Sequence, residues 1–261
     1  MLSIIKVIYS SCLLQMKQSF GRPTFQFTIL VQPIIYGLIT YEMFKNSGQQ
    51  NFMAYAVLGT GILTIWSSIC FSSAGDIERE RFMGTLEIIF SVPVKFELII
   101  FGKVIGNTVL GISSMLITFI FLTVAFGVHI TIQQPIIFFA TLLLALVSFA
   151  GIAMLLATAF TLSRGARILM NVLEYPVFIL CGVLFPIEIL PVWTRPLSYI
   201  LSPTWAVKLL KMSVLGIDNY TEFTGYLIIL ALITVVYYLL ALFLFRIVDK
   251  QTRIKATLGV S

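Results

Sequence analysis

Apolar residues in this chain run in long unbroken stretches, where most sequences interleave them with polar ones. Runs over residues 24–44, 52–74, 97–126, 135–162, 168–185 and 223–245 each approach the roughly 20 residues that carry a helix across a bilayer. Outer-membrane barrels show alternating segments of about ten residues instead. The pattern therefore predicts an all-α membrane protein with six transmembrane helices. Residues 1–22 read differently: Ile5, Ile8, Cys12, Met16 and Phe20 recur every three or four positions, with Lys6, Ser10 and Lys17 turned elsewhere. That spacing predicts an amphipathic helix lying in the membrane interface. A signal peptide is the competing reading, but Gln15, Lys17 and Gln18 interrupt its apolar region and no small-residue cleavage site follows.

Two segments break the apolar rhythm. Between spans two and three, residues 76–96 hold Asp76, Glu78, Arg79, Glu80 and Arg81 within six positions. At helical spacing Glu78, Arg81 and Thr85 make one row, and Phe82, Leu86 and Ile89 make another. The expectation is a short, water-facing amphipathic helix whose apolar row seats in a partner's groove while its charges set register. Pro93 ends it, because the residue before a proline is biased away from helix. Lys103 is expected to snorkel from the inner end of span three. Between spans five and six, residues 186–222 are apolar yet contain Pro186, Pro191, Pro196 and Pro203, which forbid one straight helix. Irregular backbone at membrane depth must be shielded by protein or face water, so broken, re-entrant helices are expected there.

Composition strengthens the membrane reading. Only 11% of the chain is charged, against about 25% in soluble domains, and the mean hydropathy is +1.03. The net charge of +6 is explained by topology. With the N-terminus inside, thirteen of the 17 Lys and Arg fall on the inner side and only Lys45, Arg195, Lys208 and Lys211 on the outer. A multi-pass plasma-membrane protein with both termini cytoplasmic follows, with no nucleic-acid partner required. Cys12, Cys70 and Cys181 are scattered and read as packing residues, neither a disulfide framework nor a zinc site.

Candidate chemistry is sparse. No GxxxxGK[ST] loop is present to cradle phosphates; the Gly102–Lys103 pair has Phe96 and Val104 at the other key positions. His129 is the sole histidine, and no GxSxG elbow accompanies the serines, so no catalytic residue and no metal site is assigned. Glu174 stands apart, deep in span five with Asn171 one turn earlier and Pro176 just after. A carboxylate there costs at least about 2.5 kcal/mol. Asn171 and Glu174 are thus candidates for a translocation pathway, or for a structural hydrogen bond beside a proline-loosened helix.

Two motifs carry a family resemblance. Residues 78–103 (ERERFMGTLEIIFSVPVKFELIIFGK) resemble the inner-loop motif of ABC-2-type transporter permeases through Glu78, Arg79, Glu80, Gly84, Thr85, Glu87, Pro93, Val94, Gly102 and Lys103, with one extra residue between Glu80 and Gly84. After span five, Gly182, Phe185, Pro186, Leu190, Pro191, Trp193 and Pro203 are similar to a second motif of that family. The resemblance implies the transmembrane subunit of an ATP-binding cassette exporter, working as a dimer with an identical or paralogous permease. Two copies of a cytoplasmic ABC ATPase would bind ATP and Mg; this chain would hold no cofactor. The resemblance assigns ATPase coupling to Glu78, Arg79, Glu80, Arg81, Gly84, Thr85, Leu86 and Glu87. It assigns an outer gate to Phe185, Pro186, Pro191 and Trp193. The inner-loop form looks most like the drug- and antibiotic-exporting branch. Export of a lipid-linked or ionic substrate, an ion-coupled secondary transporter using Glu174, and a membrane assembly or immunity protein that moves nothing are the competing functions.

Overall fold

The computed structural model describes residues 2–45, 52–92, 94–127, 132–162, 177–183, 187 and 190–255. Among them there is no strand. Helix α1 (Leu2–Phe20) is followed by α2 (Pro23–Gln26), a π-helical turn (Phe27–Val31) and α3 (Gln32–Lys45), which continue one another. The π turn has a cause two residues later. Pro33 has no N–H to donate, and its ring would strike the carbonyl one turn back. The chain widens just before it, so that the Gln32 N–H reaches the Phe27 carbonyl.

Helix α4 (Phe52–Phe82) is the central element. Residues 57–69 are buried all round, packed by α3, α6 (Phe96–Phe126), α7 (Pro135–Leu162) and α9 (Ser202–Leu215). A helix apolar on every side belongs in such an interior. Its buried hydroxyls bond locally or across, as between Thr40 and Thr60 at 2.7 Å. Helix α10 (Tyr220–Lys255) packs along α7 and closes the far side.

Among the described residues, four stretches are long and apolar enough to cross a membrane: Pro23–Glu42, Phe96–Phe126, Pro135–Thr161 and Tyr220–Val248; Val57–Ile69 is a shorter apolar stretch within α4. Their outward faces expose Ile120, Val124, Ile136, Phe139, Leu239 and Phe243. Apolar surface on that scale has no place in water and suits lipid.

The expectation for the charged segment needs correction. Residues 76–89 do not form a separate helix. The span-two helix runs straight through the charges to Phe82, a turn at Met83–Gly84 follows, and α5 (Thr85–Ser91) begins beyond it. Gly84 sits at φ +69°, which a helix cannot continue through. Nor does the Phe82–Leu86–Ile89 row exist: Phe82 is 92% exposed while Leu86 is 1% exposed. Helix α1 keeps an exposed apolar side and packs its other side on α6. Ile5 and Phe20 face outward, whereas Gln15 and Ser19 are fully buried. The helix lies tightly on α6, where a Cβ on Gly102 would come 2.6 Å from the Ile8 carbonyl oxygen and one on Gly106 2.8 Å from that of Cys12. Small residues four apart let two backbones approach closely.

The proline-rich region after span five contains α8 (Arg195–Ile200) and α9, meeting at an extended Leu201. The carbonyls that end α8 are satisfied by side chains. Thr204 Oγ1 donates to Ser198 at 2.6 Å, Trp205 Nε1 to Tyr199 at 2.9 Å and the Tyr237 hydroxyl to Ile200 at 2.9 Å. Those bonds let the chain break its helix in an apolar setting. Lys208 lies over the rings of Tyr199, Trp205 and Tyr226 at 5.7, 5.6 and 5.3 Å.

Candidate functional site

Helix α4 owes its length past Ala74 to partners. Asp76 is 4% exposed, and its Oδ1 lies 2.5 Å from Arg22 Nη1 at the corner between α1 and α2. Asp76 Oδ2 accepts from Asn107 Nδ2 on α6 at 3.3 Å and from Gln15 Nε2 on α1. Gln15 also donates to Asn107 Oδ1 at 3.1 Å, and Ser19 Oγ donates to the same oxygen at 3.4 Å. One turn on, Glu80 forms an ion pair with Lys103 of α6; they are 9% and 5% exposed. Arg81 donates to the carbonyls of Thr161 and Phe160 at 2.6 and 3.4 Å, where α7 ends and leaves carbonyls unpaired. Charges in the interior must be paired, and here they are paired between helices. A cavity of about 10 Å³, the size of one water, lies among Asp76, Lys103 and Asn107.

The expectation of water-facing charge is thus overturned for Asp76 and Glu80. Snorkelling is overturned for Lys103, because Glu80 is within reach inside the protein and no path to the headgroups is needed. Glu78, Arg79 and Arg81 are half-buried. Glu87 lies in α5, with its side chain outside the described residues. Asn171, Glu174, Phe185 and Pro186 lie outside the described residues altogether. Pro191 and Trp193 are exposed in the turn leading to α8, where the Thr194 N–H bonds the Pro191 carbonyl at 3.0 Å.

Beyond the buried charges the chain turns into an exposed tip. The Met83 N–H bonds the Arg79 carbonyl at 2.8 Å, the Gly84 N–H that of Arg81 at 3.1 Å, and Thr85 Oγ1 donates to the Glu80 carbonyl at 3.3 Å. Leu86 is sunk in the core, and Phe90 stacks on Phe96 at 4.4 Å, folding α5 back onto the body. Phe82, Met83, Ile88 and Val92 are left outside. The large exposed side chains of this segment are thus apolar, while Asp76 and Glu80 are buried.

Sequence reading missed Gln15, Arg22 and Asn107 as members of the site. A signal existed for Asn107, an amide inside the strongly apolar run of α6, where polar groups are expensive. Gly102 and Gly106 carried a second, since their spacing is that of a close helix crossing.

An all-helical body with lipid-type faces, an internal charge cluster and an exposed apolar tip defines a multi-pass membrane protein. The model of the ABC-2 type transporter family matches residues 8–215, most of the chain. The chain belongs to that family and is a transmembrane permease component of an ABC transporter, not a catalytic one. Membership implies association with an ABC ATPase. A search of curated proteins returns no match.

Proposed function

We propose that this permease is the exporter half of a complex in which the tip formed by Phe82, Met83, Gly84 and Ile88 docks in a groove of a cytoplasmic ABC ATPase. The observation that supports it is the exposure of that apolar tip directly beyond an internally paired charge cluster. Apolar anchors in a groove give affinity; charged rims give register. Glu78, Arg79 and Glu87 supply the rim, Glu80 and Arg81 hold the tip to the body, and Thr85 and Leu86 seat α5.

In this reading six spans place both termini in the cytoplasm of a plasma-membrane protein. Two permeases pair and two ATPases bind ATP and Mg. The outward face of α1 carries Ile5, Tyr9, Leu13 and Phe20 beside Lys6 and Lys17, which suits the lipid interface with lysines at the headgroups. Asn171 and Glu174 belong to the translocation pathway. Phe185, Pro186, Pro191 and Trp193 shape the outer gate. The substrate is an amphiphilic drug, antibiotic or peptide.

Co-purification tests the complex. The chain brings down an ABC ATPase, and Phe82→Ser with Ile88→Ser lowers recovery at least about tenfold, as loss of two buried anchors does, while leaving monomer folding intact. Equal recovery from both forms sinks the docking surface. Glu174→Ala in reconstituted vesicles lowers transport without loss of assembly; unchanged transport removes its pathway role.

A further inference from the structure

The last turns of α4 are clamped from three sides: Asp76 to Arg22 at the α1–α2 corner, Glu80 to Lys103 on α6, and Arg81 to the terminal carbonyls of α7. The three clamps are not equivalent. The Arg22 side chain keeps 17% of its surface in solvent. Arg81 bonds carbonyls that any donor could satisfy. Glu80 and Lys103 are both interior, and a shift of one helix without the other would strand a buried charge. Glu80 also stands two residues before the exposed Phe82, and its own carbonyl holds Thr85 on the far side of the Gly84 turn. Lys103 itself sits between Gly102 and Gly106, where α1 lies so close on α6 that neither glycine has room for a Cβ.

We propose that Lys103 is a positioning residue for the tip. Through Glu80 it sets the direction in which Phe82 and Met83 leave the body, and it makes any displacement of the tip a displacement of α6. The geometry stands apart from the docking reading; only its consequence for transport rests on it. A purely space-filling lysine stem would be replaced by methionine without effect on the tip, which separates packing from charge.

Hydrogen–deuterium exchange on the full chain in lipid nanodiscs decides the matter. Lys103→Met raises exchange of amides 80–92 about tenfold or more while amides 230–245 of α10 keep their protection. Lys103→Arg, which keeps the charge, stays within about threefold of the parent, and Glu80→Lys with Lys103→Glu recovers the same range. Unchanged exchange at 80–92 in Lys103→Met, or no recovery in the charge-exchanged pair, overturns the proposal. If Lys103→Met does not fold, the Lys103→Arg and charge-exchanged forms still decide it: loosening of 80–92 in the exchanged pair overturns it. In the complex with the ATPase, transport per ATP falls in Lys103→Met. A loosened tip with unchanged transport per ATP upholds the positioning of the tip and overturns its consequence for transport. If no ATPase associates with the parent chain, docking fails and the exchange result alone judges the geometry.

Discussion

Arg22 and Asp76 meet at 2.5 Å, one at the start of the first long apolar stretch and the other in the tail of α4. The pair fixes the corner at which α1 hands over to α2. Because Asp76 is almost wholly enclosed, the arginine neutralises a charge that has no other route to water.

Removing the arginine alone should therefore be worse than removing both charges. Arg22→Met takes the ion-pair partner from Asp76 and leaves it the Asn107 and Gln15 amides and the nearby Lys103, and is expected to cost about 1–3 kcal/mol. Arg22→Met with Asp76→Asn should regain part of that loss. Thermal unfolding followed by size exclusion in detergent checks the order. A double variant less stable than Arg22→Met would mean the pair is not charge-dependent.

The close crossing of α1 and α6 makes a second prediction. Gly106→Leu drives a side chain into the Cys12 carbonyl and the Gln15 stem and should cost about 1–3 kcal/mol by overpacking. The damage should be local, releasing α1 to proteolysis at Lys6 and Lys17 before the rest of the chain is cut. Proteolysis with the parent's pattern would show that α1 is held by other contacts.

At the tip, Gly84 has open space around it but a left-handed backbone. Gly84→Ala should cost about 1–2 kcal/mol from φ alone, with Gly84→Asn milder because asparagine tolerates that region. Exchange at amides 82–86 reads the strain. Equal effects of alanine and asparagine would point away from backbone conformation.

On the opposite side of the chain, Lys208 is caged by Tyr199, Trp205 and Tyr226. Lys208→Met should lose about 0.5–1 kcal/mol and shift Trp205 emission. Tyr226→Leu should have little added effect once the cation is gone. Additive losses in a double-mutant cycle would mean that the ring and the ammonium do not interact.

Much of this architecture is written in the order of residues. The apolar runs determine helices and a membrane home, because a backbone in hydrocarbon must bond to itself. Pro33, Gly84 and the prolines from 191 to 203 mark where helices widen, turn or break, each through its own φ restriction or missing N–H. The motif from Glu78 to Lys103 carries the family. What order alone did not reveal is which face of a helix points inward. In water, apolar means buried; in a bilayer an apolar side chain is equally content against lipid or protein. Hence Ile5 and Phe20 of α1 face outward while Gln15 and Ser19 turn in. The same holds for the charges. Glu80 and Lys103 are 23 positions apart, Gln15 and Asp76 61, and Gln15 and Asn107 92. Only the packing of α1, α4 and α6 around one another brings them into contact, and burial then makes each depend on partners from another helix.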